Sequence, residues 1–147
     1  MYKVNGEWHK DIFDITTDPG LKSLRSFTNV KGCAILVPGQ YRSVYSISLH
    51  KNKYPALCQR LGVVKVYRDN NRDAKLDMNP AKIDTGVFGI NIHKAGQTSE
   101  VVDGWSAGCQ VFKRAVDFNA MMALAYKAKD LYGNKFTYTL LTTDDLA

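Results

Sequence analysis

Short apolar runs alternate with polar, turn-rich stretches over the first two thirds of the chain, and a longer helical period takes over near its end. Cys33 to Val37 reads CAILV, which is apolar and partly β-branched and stops at Pro38-Gly39, as a buried strand ending in a turn does. A second strand is expected from Tyr41, where Val44, Ile47 and Leu49 mix with tyrosines and serines until Lys51-Asn52-Lys53 breaks the alternation. Val63 to Tyr67 and Val87 to His93 form two further β-branched runs. Beyond Arg114 the apolar positions Phe118, Met121, Met122, Ala125, Ala128 and Leu131 recur at helical spacing. Asp117 can cap that helix and Gly133 can end it. Its methionine and aromatic stripe reads as core packing, and Lys135 to Leu141 alternates as a closing strand. Residues 1–32 carry the turn signal Thr16-Thr17-Asp18-Pro19-Gly20 without strong periodicity, so they are expected to form an irregular leader packed on the rest of the domain.

These elements predict a single α+β, mainly β domain over residues 1–147 with one substantial helix. With 45% of residues apolar, such a chain can bury its own core, and its ordinary charged fraction excludes disorder. No stretch approaches the ~18 apolar residues of a membrane span. Met1 is followed by polar Lys3, Asn5, Glu7, His9 and Lys10 instead of an apolar signal core, so synthesis in the cytoplasm without a signal peptide is expected. Cys33, Cys58 and Cys109 are odd in number and widely spaced, which fits free thiols, and the first two read as small buried hydrophobes. A net charge of +6 favours polyanionic partners such as cell wall or nucleic acid. The basic residues form no finger, basic region or aromatic RNA-binding motif, so nucleic acid is the less expected partner.

The chemistry concentrates around Ser106-Ala107-Gly108-Cys109. A cysteine nucleophile needs a base within reach and donors for the developing oxyanion, and small neighbours let backbone amides approach a substrate. Cys109 is the candidate nucleophile, its own amide the oxyanion donor, and Gly108 the residue free to take unusual backbone angles. His93, at the end of an apolar run, is the candidate base, and a base close by is expected to lower the thiol pKa.

His93, a loop, then Ser106-x-Gly108-Cys109 resembles the L,D-transpeptidase signature, in which a histidine precedes Ser-His-Gly-Cys by a similar distance. The likeness covers Phe88 to Leu141, including the helix and strand after the cysteine. It implies a mixed β-sandwich or barrel in which Cys109 attacks a peptidoglycan stem-peptide carbonyl, His93 moves the proton and Ser106 braces the loop. Two positions depart from the pattern. Ala107 replaces the second histidine, and Gln110-Val111-Phe112 lacks the arginine that typically follows the cysteine by two positions. His50 is a candidate for the vacant polar role, with Tyr54, Trp105 and Gln110 as further substrate-binding candidates, although a surface histidine in a basic loop is the plainer reading of His50. Segments such as PGQYRSVY, VYRDNNRDAKLD and WSAGCQVF resemble small phage and prophage proteins of the lysis or wall-modifying kind, whose release can depend on a separate holin. The alternative reading is a non-catalytic wall-binding or virion structural protein that keeps the fold.

Asp69-x-Asn71-x-Asp73 with Asp77 reproduces the first, third, fifth and ninth ligand positions of a calcium loop. Ala74 stands where the usual glycine would be, and Pro80 replaces the bidentate glutamate. Structural calcium is therefore an option and no cofactor is expected to be required, while the cysteines and histidines lack zinc-ligand spacing.

Overall fold

A computed structural model of the chain describes residues 1–96 and 106–147, and it is mainly β with one long helix. The chain begins with a hairpin of β1 (Tyr2–Val4) and β2 (Glu7–His9), then β3 (Ile15–Thr16) and the short helix α1 (Leu21–Arg25). The CAILV run forms β4 (Cys33–Leu36), buried along its whole length. It is followed by the twelve-residue β5 (Gly39–His50). Lys51 and Asn52 both adopt left-handed angles (φ 49° and 56°), making the tight turn that returns the chain into β6 (Tyr54–Gln59). Then come β7 (Val64–Asp69), β8 (Ile83–Gly86), β9 (Ile92–Lys94), β10 (Gln110–Phe112), α2 (Ala115–Tyr132) and β11 (Phe136–Leu140).

Among the described residues the main sheet has six strands in the order β11-β5-β6-β9-β10-β3, and a second sheet of three runs β4-β7-β8. Neighbouring strands are antiparallel except β9 and β10, which run parallel with Gln110 opposite Ile92 and Val111 opposite His93. The core between sheets and helix contains Leu36, Tyr45, Val64, Val66, Phe112 and Phe118. α2 contributes Phe118, Met122 and Ala125, and its buried stripe ends before Leu131, which is exposed. Gly133 closes the helix at φ 89° as expected of a left-handed terminator. Asp117 lies within the first turn, paired with Arg114 at 2.7 Å, instead of capping it.

Three departures from the sequence reading have physical causes. The leader is not irregular throughout: β3 pairs with β10 as an edge strand of the main sheet, and two residues are too few for alternation to register. β6 was obscured by Pro55, yet it lies between β5 and β9, with Pro55 in register with Leu49. The Val87 to His93 run forms a ladder only from Ile92. Its first half is held instead by the fully buried Gln59, whose Oε1 accepts from the amides of Phe88 and Ile90, while Nε2 donates to the carbonyls of Gly62 and Gly86.

Candidate active site

The parallel pairing of β9 and β10 decides what Cys109 meets. The Gln110 amide donates to the carbonyl of Asn91 at 2.9 Å, so Cys109 enters the sheet beside Asn91, and strand alternation puts Asn91 and His93 on one face. The backbone amide of Asn91 approaches Cys109 Sγ at 3.5 Å, and the thiol reaches the carbonyl of Gly89 at the same distance. The side chain of Asn91 works in the other direction. Its Nδ2 donates to His50 Nδ1 at 3.0 Å, and its Oδ1 accepts from the amide of Gln59 at 3.0 Å. Asn91 thus links the thiol to an imidazole through one residue.

His93 is 5% exposed, and its Nδ1 lies 2.9 Å from the carbonyl of Lys94, which fixes the neutral ring with its proton on Nδ1 and the lone pair on Nε2. The ring stacks on His50, centroids 4.2 Å apart. His50 is equally buried, which corrects its reading as a surface histidine in a basic loop. Because Asn91 donates to its Nδ1, the neutral His50 carries its proton on Nε2. Burial pushes both pKa values down; His50 falls to about 4, helped by the neighbouring His93, Lys51 and Arg60 charges. Burial also pushes the Cys109 thiol up, opposed by the Asn91 amide and the Lys51 charge. The expected lowering of the thiol pKa is therefore overturned: desolvation outweighs the donors around the sulfur. Burial thus favours the neutral form of the thiol and of both imidazoles.

The loop before the nucleophile is tightly determined. Ser106 Oγ accepts from the Gly108 amide at 3.0 Å and donates to the Cys109 carbonyl at 2.8 Å. The Ala107 carbonyl accepts from Ala34 at 3.1 Å, docking the loop on β4. Gly108 has φ 133°, and a Cβ there would run into the Ala34 carbonyl, so glycine is required on both counts. A cleft of about 360 Å³ opens in front of Cys109, lined by Asn29, Ala34, Arg68, Phe88, Gly89 and Ala107 among others.

The other candidates divide. Tyr54 is half-buried beside His50, its hydroxyl 3.3 Å from the Lys94 carbonyl, and lines a second, smaller depression with Lys94 and Phe118. Gln110 does not face substrate: it is fully buried, with Nε2 on the carbonyls of Thr17 and Gly108 and Oε1 accepting from Tyr138. Trp105 lies outside the described residues. In the 69–77 loop the oxygens serve the local backbone: Asp69 accepts from the Asp77 amide, Asn71 from Asp73, and Asp73 from Lys75. Among the described residues no three or more His, Cys, Asp or Glu side chains gather as a metal group. Asn91 and Arg68 were not singled out in the sequence as site residues. Only the position of Asn91, two before His93 on the same strand face, could have drawn notice.

Compared with protein families, curated proteins and solved structures, the chain gives no match. Among the described residues no helix is long and apolar enough to cross a membrane.

Proposed function

We propose that the protein is a cysteine-dependent acyl-transfer enzyme of the L,D-transpeptidase type, acting on peptidoglycan stem peptides with Cys109 as nucleophile and His93 as base. The observation that carries this reading is the meeting of Cys109, Asn91, His93 and His50 on one sheet region, with the cysteine opening onto a cleft. The order His93, loop, Ser106-x-Gly108-Cys109 and a mainly β fold with one helix after the cysteine agree with it. Phage-borne wall modification, with release by a separate protein, is the setting proposed for this activity.

In the reaction, Sγ bonds to the peptide carbonyl carbon while its proton passes to the lone pair on His93 Nε2. The Cys109 amide is the proposed oxyanion donor, since the Gly108 amide is already committed to Ser106. The tetrahedral adduct collapses as the carbon–nitrogen bond breaks and the imidazolium returns its proton to the leaving amine. Attack on the thioester by water gives a hydrolase, and attack by an amine gives a crosslink. Either releases the thiol.

A non-catalytic wall-binding role is the second reading. It is favoured by one observation: the thiol's hydrogen bonds run to the backbone of Gly89 and Asn91, not to an imidazole. Mass analysis of purified peptidoglycan fragments incubated with wild type and Cys109→Ala separates the two. A product formed only by the wild type supports the enzyme; fragments bound but unchanged by both proteins support the binding module.

A further inference from the structure

The cleft in front of Cys109 has a polarity that its apolar walls conceal. Among the described residues lining it, Arg68 alone is charged. Arg68 stands on β7 opposite Ala34, and Ala34 in turn donates its amide to Ala107 of the nucleophile loop. Two strand spacings, roughly 10 Å, therefore separate the backbone of Arg68 from the loop, and the side chain lines the cleft between them while its guanidinium is drawn to Asp84 on β8, on the far side of β7 from β4.

The guanidinium is held, not roaming. Its carbon lies 4.5 Å from the centroid of the Phe88 ring, and both Nε and Nη2 reach the same Asp84 oxygen at 3.2 Å. That oxygen also receives Lys31 at 3.1 Å. One carboxylate thus answers two cations, so the cluster keeps a net positive charge, and of its three members Arg68 is the one that lines the thiol's cleft. A planar, oriented fork with only 12% of its side chain exposed suits a carboxylate, because desolvation at the cleft strengthens the pairing.

We propose that Arg68 is the anion-recognition residue of this cleft, holding a free carboxylate of the peptide whose neighbouring carbonyl Cys109 attacks. The substrate class is then an acidic peptide with its carboxylate unblocked, and amidated peptides are poor substrates. The assignment of a peptide substrate rests on the function proposed above; the anion preference of the cleft does not.

Alkylation of Cys109 by iodoacetate and by iodoacetamide separates the two claims. In both, Sγ displaces iodide from the same carbon, and the reagents differ in one negative charge. At a fixed alkaline pH and low salt, the ratio of iodoacetate to iodoacetamide rates at Cys109 should fall about 3- to 10-fold in Arg68→Gln and stay near wild type in Arg68→Lys. Asp84→Asn, which releases the guanidinium from its partner, should raise the ratio, so the test survives if Arg68→Gln does not fold. An unchanged ratio in folded Arg68→Gln, or an unchanged ratio in Asp84→Asn, overturns the proposal. If the ratio responds as expected while no peptidoglycan bond is cut, the anion site stands and the peptidase reading fails. If bonds are cut, carboxylate peptides should be preferred over their amides by wild type and not by Arg68→Gln; equal preference in both overturns the role of Arg68 in the reaction.

Discussion

His93 lies face to face with His50, their planes 22° from parallel and both residues 5% exposed. Two buried imidazoles in such contact cannot both carry a proton at ordinary cost, and a charge on His93 lowers the affinity of His50 for one. In His50 the pKa is brought to about 4 by burial and by His93. Between the unfolded value near 6.5 and about 4, the unfolded chain binds a proton that the folded chain refuses. Stability should therefore fall as pH drops through that window and level off below it. Melting temperature measured against pH should show this slope in the wild type and a shallower one in His50→Gln. Equal slopes would mean that His50 is protonated in the fold.

The Cys109 thiol, raised by burial above its ordinary 9.0, should alkylate slowly at neutral pH and accelerate as pH rises past that value. Cys33 and Cys58, at 1% and 0% exposure, should stay unlabelled in folded protein. Peptide mapping after a pH series of labelling checks both expectations. Rapid labelling of Cys109 near pH 6 would reveal a thiolate–imidazolium pair and refute the neutral resting state.

How much of this was legible in the sequence depends on whether a feature is local. β4, β5, the long helix and the closing strand were read from periodicity because each is amphipathic or apolar over several turns or alternations. Cys109, His93, Ser106 and Gly108 were legible as a motif of small residues and reactive side chains. The burial of His50 was not, because it depends on β5 and β6 bringing it against a strand more than forty residues away. The same holds for Arg68, whose place at the cleft depends on the pairing of β7 with β4 and of β4 with the 106–108 loop. Gln110 misled for the opposite reason: a polar residue next to a nucleophile reads as functional until its amide is found spent on Thr17, Gly108 and Tyr138.

Replacing Gly108 by Ala should be among the most damaging small changes in the protein. It would impose a side chain at φ 133° and drive a methyl group into the Ala34 carbonyl, disturbing the docking of the nucleophile loop on β4. A loss of about 3 kcal/mol or more is expected from strain and lost hydrogen bonds, read as a lower urea midpoint. Ala107→Gly, at an exposed position in the same loop, should cost under about 1 kcal/mol by comparison.

Asp69 is 1% exposed, and among the described residues its Oδ1 has no hydrogen-bond partner, while Oδ2 accepts from the Asp77 amide. A buried carboxylate so poorly answered costs stability, so Asp69→Asn in calcium-free buffer should raise stability by about 1 kcal/mol. With calcium present the sign should reverse if the loop takes the ion, since Asp69 would be a ligand. Chelator should leave turnover unchanged, because the proposed acyl transfer uses only the thiol and imidazole; calcium-reversible loss of turnover in folded protein would refute that mechanism.

The sharpest discrimination concerns which imidazole serves as base. His93→Ala removes a buried ring stacked on His50 and bonded to the Lys94 carbonyl, so a stability loss of about 1–3 kcal/mol is expected along with lost turnover. Activity loss alone cannot then separate base from scaffold. A cavity shaped for imidazole can, because free imidazole entering it restores both the packing and a proton acceptor, whereas a small apolar ring restores only the packing. Added imidazole should therefore recover turnover in His93→Ala, and the recovery should grow with the neutral fraction of the added base. His50→Ala should lose stability to a similar degree, since Asn91 Nδ2 forfeits its acceptor, yet it should keep measurable turnover without rescue. Should imidazole rescue His50→Ala and leave His93→Ala inert at equal melting temperatures, the proton passes through His50 and Asn91 serves to aim that ring.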